Sequence, residues 1–147
     1  MSIWPCAAIF AVSLPFLMTA QPVHADGQRG GDGRSRGLAL AAGQDTFRQF
    51  CAPCHGVDAK GRGPVARILT TPPADLAQAK RRNGGTFPMD RLEAVLTMAR
   101  GESAGTVALG SSQMPIWGQV FASLEASPTL ARARVANLLV YLESIQN

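Results

Sequence analysis

Cys51-Ala52-Pro53-Cys54-His55 constrains this chain more than any other stretch, because it fixes two thiols three positions apart with an imidazole immediately after them. Three chemistries use a C-x-x-C pair. A redox dithiol places it at the start of a helix within a βαβ pattern, and no such pattern surrounds residues 51–55. A structural zinc ion needs four closing ligands, generally more Cys or His. The 147 residues contain three cysteines and two histidines, and Cys6 and His24 lie in an N-terminal segment with the marks of a removable signal. That leaves Cys51, Cys54 and His55, too few to close a zinc site. The third chemistry needs those three residues and no others. A c-type haem is attached by two thioethers from C-x-x-C to its vinyl groups, and the following histidine supplies an axial nitrogen to the iron.

The N-terminus points the same way. Cys6 to Met18 (CAAIFAVSLPFLM) has the length and apolarity of a signal-peptide core, and Val23-His24-Ala25 places small residues where a signal peptidase reads. Residues 1–25 are therefore expected to be a signal peptide, although Met1 to Pro5 carries no Lys or Arg. The alternative is a retained anchor, but a membrane-spanning helix needs about 20 apolar residues. Pro5 and Pro15 interrupt this shorter run. Export and covalent haem agree, since c-type attachment in bacteria is completed outside the cytoplasmic membrane; the expected location is the periplasm. Residues 26–39, opening with DGQRGGDGRSRG, bury too little apolar surface to offset their ordering entropy and are expected to form a flexible leader. Residues 40–147 are then one small domain.

Within that domain the apolar periodicity is helical and no alternating strand pattern stands out, so the expected fold is all-α. The pattern predicts a first helix over Ala41 to Ala52 carrying the cysteine motif at its end. A second is predicted over Leu76 to Arg82, capped by Asp75 and stopped by Gly84-Gly85. A third opens at Asp90, with Glu93 completing a pair resembling a capping box, and ends at Gly101. The last follows Ser127 and Pro128, with Ala131, Val135, Leu138, Leu142 and Ile145 on one stripe.

A haem iron has a sixth position, for which the sequence offers Met89, Met98, Met114, Lys60 and Lys80, or leaves it open. Met89 and Met98 fall at or within a predicted helix, where methionine usually fills core. Met114 follows the Gly/Ser-rich stretch 101–113 and precedes Pro115, which biases its backbone to an extended form able to lay a thioether over a flat ring. Anchoring its loop to the core is the competing role.

Gly43 and Phe47, CAPCHG at 51–56, GRGP at 61–64, PADL at 73–76, GGTFP at 84–88, QMPIW at 113–117 and a final helix containing LLVYL occur in one order. Over about Leu40 to Asn147 this set resembles a monohaem class I cytochrome c of the bacterial type with a distal MPxWG methionine. The resemblance implies one covalent haem c, with thioethers from Cys51 and Cys54 and axial ligands His55 and Met114. It further implies that the Pro64 carbonyl accepts a hydrogen bond from the other ring nitrogen of His55, and that Gly43 and Phe47 cross the final helix near Leu138 and Tyr141. Trp117 is expected to pack near the haem or to hydrogen-bond a propionate, or else to serve the core.

A six-coordinate iron offers substrates no open site, so the implied function is one-electron transport with a positive potential, not enzymatic catalysis. The expected partners are redox proteins acting on a monomer. Alternatives are a haem subunit of a specific periplasmic dehydrogenase or oxidase complex, or a gas- or peroxide-binding haem protein with an open sixth position. Net charge is +4. Twelve of the fourteen basic residues are Arg, three of them in the leader, so no compact docking ring is evident. Lys80, Arg81 and Arg82 form the densest local group, and no motif indicates nucleic-acid binding.

Overall fold

The computed structural model describes residues 26–97 and 113–147, with side chains from Asp32 onward. The expected signal peptide with Cys6 and His24, Met98, and the predicted end of the third helix at Gly101 lie outside these residues. The fold is helical, and the described residues contain no strand. None of their helices is long and apolar enough to cross a membrane.

Helix α1 spans Asp26–Thr46 and so includes the stretch read as a flexible leader. Its packed end explains the difference. Once Gly43, Thr46 and the residues beyond are held against the rest of the molecule, each further turn toward the N-terminus adds a hydrogen bond without a new nucleus. Residues 32–38 are nonetheless exposed, and Arg36 reaches Glu143 only through an exposed ion pair.

Pro53 disturbs what would otherwise be one continuous helix into the cysteine motif. It has no N–H to donate back along the ladder, and its ring crowds the carbonyl one turn earlier. The backbone answers with a π-turn over Phe47–Cys51, in which Ala52 N–H bonds to the Phe47 carbonyl, followed by a short helix α2 over Ala52–His55. Gly56, at φ 80°, ends it.

A 3₁₀ turn covers Pro64–Ile68, and a second, Leu76–Gln78, leads into helix α3 at Ala79–Arg82. Asp75 precedes that turn but makes no capping bond, contrary to expectation. Its Oδ1 is instead buried without a hydrogen-bond partner among the described residues. Gly84 and Gly85, both at positive φ, end α3 as expected, Gly85 N–H returning to the Lys80 carbonyl at 2.9 Å.

Helix α4, Met89–Thr97, starts one residue before Asp90. Asp90 thus lies inside the first turn, where its charge suits the helix dipole, and not at the cap position from which a capping box with Glu93 would start. Helix α5, Trp117–Leu124, is not among the predicted elements, although Trp117, Val120, Phe121 and Leu124 recur at helical spacing.

Helix α6, Pro128–Ser144, matches its prediction. Ser127 Oγ accepts from Leu130 N–H at 3.3 Å, and Ala131, Val135, Leu138 and Leu142 are buried with Leu139. Against this stripe lies α1. Gly43 meets α6 so closely that a Cβ there would sit 2.0 Å from the Asn137 carbonyl oxygen and 2.8 Å from Tyr141 Cβ. One turn on, the Phe47 and Tyr141 rings pack with centroids 5.4 Å apart. Phe47, Phe121 and Leu138 are completely buried, and they mark the centre of the core.

Candidate haem site

The loop after the cysteine motif is built to approach it closely. Gly61 N–H donates to the His55 carbonyl at 2.7 Å, and Gly63 N–H to the Cys54 carbonyl at 3.0 Å, satisfying acceptors that the end of α2 leaves open. A Cβ at Gly63 would come within 2.3 Å of the Pro53 carbonyl oxygen, so a larger residue has no room. The glycines of GRGP therefore bind the backbone of the motif.

This arrangement corrects the role expected of Pro64. The carbonyl facing His55 Nδ1, at 2.9 Å, belongs to Ala74 in the PADL element. Pro64 opens the following 3₁₀ turn instead and is exposed. A carbonyl oxygen only accepts, so Nδ1 carries the proton and Nε2 keeps its lone pair free. Burial of the ring lowers its pKa, opposed by the Ala74 bond, which favours the charged form. The ring is thus held as a neutral, oriented donor of one lone pair, as a metal-ligating histidine requires.

The two cysteines are free thiols. Cys51 is buried; desolvation, with Cys54 beside it, pushes its pKa up to about 12. A redox or catalytic cysteine requires the opposite shift, toward a stable thiolate. Among the described residues no group of three or more His, Cys, Asp or Glu side chains is placed to hold a metal ion.

Cys51, Cys54 and His55 open onto a cavity of about 540 Å³, within the range of roughly 300–1,000 Å³ that houses a ligand or cofactor. Met114 lines the same cavity. Of the other sixth-ligand candidates, Met89 packs against the core at the start of α4, while Lys60 and Lys80 are exposed; none of the three lines the cavity. The remaining walls are chiefly apolar, with Leu92, Val95 and Leu96 from α4 and Leu138 and Leu142 from α6. Arg82 and Arg91 stand in the lining as cations, and both residues are largely exposed.

Trp117 also lines the cavity. It stacks on Phe121 at 5.7 Å and meets the edge of Phe50 at 5.5 Å, joining an aromatic group over which the Arg134 guanidinium lies, 5.5 Å from the Phe121 ring and 5.8 Å from that of Phe50. Arg134 is itself held by Glu125, its Nε donating at 2.7 Å. Trp117 therefore serves the cavity wall and the core together.

Two contributors have little signature in the sequence. Ala74 acts through its backbone carbonyl, which any residue could supply. Gln113, beside Met114, uses its side-chain oxygen to accept from Thr70 N–H and Thr70 Oγ1, both at 2.9 Å, and from Thr71 N–H at 3.2 Å. Only its polarity next to Met-Pro could have drawn notice.

Searches with the whole chain against protein-family profiles, curated proteins and solved structures return no match.

Proposed function

We propose that this protein is an exported c-type cytochrome of the class I type, a one-electron carrier whose cavity holds a single covalent haem c. The observation that carries the reading is the convergence of four residues on one cavity: Cys51, Cys54 and His55 from one end of the chain's helical order and Met114 from some sixty residues later. Haem supplies the redox chemistry, exchanging one electron between ferric and ferrous iron. The chain does the rest. Cys51 and Cys54 would hold such a group covalently through thioethers. His55, oriented by the Ala74 carbonyl, would offer Nε2 to the iron, and Met114 would offer a soft thioether that favours the ferrous state and raises the potential. Leu92, Val95, Leu96, Leu138 and Leu142 keep water away from the iron and disfavour the extra charge of the ferric form. Arg82 and Arg91 suit the carboxylates that such a cofactor carries.

With His55 and Met114 both engaged, such a group would leave no position for a substrate, and the partners would be an electron donor and an electron acceptor. The optical spectrum and intact mass of the purified protein test this reading together. The expected protein carries the mass of one haem, shows a low-spin spectrum with a methionine-to-iron charge-transfer band, and loses that band in Met114→Ala. A high-spin spectrum that Met114→Ala leaves unchanged would rule the carrier out.

A further inference from the structure

The segment Thr70–Ala74 touches both halves of the proposed ligand pair. At one end, Thr70 and Thr71 give three hydrogen bonds to the Gln113 side-chain oxygen, next to Met114. At the other, the Ala74 carbonyl holds His55 Nδ1 at 2.9 Å. Between them lie Pro72 and Pro73, whose rings fix φ near −65° and leave the backbone little freedom to stretch or fold. Thr71, Pro72, Pro73 and Ala74 all line the cavity. The strap is secured from a third side, since a Cβ at Gly61 would come within 2.2 Å of the Pro73 carbonyl oxygen.

We propose that Thr70–Ala74 is a stiff strap that sets Met114 against His55 across the cavity, and that Gln113 is the positioning residue that fastens it. This rests on the haem reading above and assigns a role to residues that are themselves neither thioether nor axial ligands. The clasp joins positions 42 and 43 apart in sequence, so it closes a long loop at the point where the distal ligand is presented. Met114 has no helix to fix it: Gln113 to Ile116 are irregular until α5 begins at Trp117. Without the clasp, Met114 spends more of its time away from the iron, and an external ligand competes for the position more readily.

Imidazole titration of the ferric full-length protein reads this directly. Loss of three hydrogen bonds at an exposed residue, each of modest net worth, is expected to tighten apparent imidazole binding about five- to tenfold in Gln113→Ala. Gln113→Glu keeps an acceptor oxygen for the same three donors and is expected to restore wild-type binding. Thr70→Val removes one of the three and is expected to give a smaller gain, which disappears when combined with Gln113→Ala. A haem-loaded Gln113→Ala protein that binds imidazole as the wild type does would overturn the strap while leaving the cytochrome reading intact. So would a Thr70→Val gain that persists in full on the Gln113→Ala background, because the Thr70 hydroxyl would then act without the Gln113 acceptor. A wild-type protein without haem removes the functional reading itself and the strap's role with it.

Discussion

Asp58 shows how much one side chain can organise beside the cysteine motif. It accepts from Lys60 N–H and from the Arg62 guanidinium, each at 3.1 Å, within the turn that brings Gly61 and Gly63 back onto Cys54 and His55. These bonds, the Lys60 one first, hold its carboxyl below the ordinary pKa of 3.8, although the group is exposed. A carboxyl with a depressed folded pKa contributes stability above its unfolded value and loses it as pH falls through the folded one. Asp58→Asn is therefore expected to lower the melting temperature slightly at pH 7, and the gap from wild type should close as pH drops below 3.8. Thermal unfolding of both proteins between pH 2 and 7 checks this, and a gap that widens in acid would contradict it. Because the ion pair with Arg62 is solvent-exposed, added salt should weaken its share. At the same scale, residue order marks the cluster of Cys51, Cys54 and His55, but it does not mark the carbonyl that holds His55, which belongs to Ala74 and not to Pro64. Every residue carries a carbonyl, so nothing in the side-chain order marks which one reaches the ring.

Elements were legible where periodicity and end signals agreed. For α6, the Ser127 cap, Pro128 and a five-residue apolar stripe all pointed one way, and the helix runs Pro128–Ser144. The short helices were harder. Asp75 precedes only a 3₁₀ turn, and α5 follows a Met-Pro loop whose extended character drew attention from the spacing of Trp117, Val120, Phe121 and Leu124. Contact between α1 and α6 depends on Gly43, and a substitution separates packing from propensity. Alanine favours a helix over glycine by about 1 kcal/mol. At Gly43, however, the new Cβ would meet the Asn137 carbonyl at 2.0 Å, so the helices must part. Gly43→Ala is expected to cost about 1–2 kcal/mol net, read as a shift in denaturant midpoint. Gly37→Ala, with nothing within 4 Å of its Cβ, should cost nothing and gain at most about 1 kcal/mol. Equal effects at the two positions would mean that propensity, and not close approach, decides.

For the whole molecule, stability should be graded along α1 and concentrated where it meets α6. Phe47, Phe121, Val135 and Leu138 are nearly or wholly buried, while residues 32–38 of the same first helix are exposed and rich in glycine. Native-state hydrogen exchange is expected to show the amides of Val135 to Leu142 opening only with global unfolding, and those of 33–38 exchanging many-fold faster. Uniform protection along α1 would contradict this gradient. The stretch at 26–39 illustrates the division between chain and fold. Its composition predicts a flexible leader, yet its backbone is helical, because helix propagation needs only a packed end to start from. Residue type and local spacing were enough for the all-α class, the terminal helix and the Cys51–His55 motif, since each is written within a few turns of chain. Met114 lines one cavity with Cys51, Cys54 and His55, a grouping that the ordered motifs imply by resemblance, whereas the choice of Ala74 as the His55 acceptor and the Gln113 clasp on Thr70 and Thr71 came only from the tertiary structure. Those contacts join residues nineteen to some sixty positions apart, and their partners are mostly backbone groups that every residue possesses; which of them meet is settled by packing the helices around a shared core.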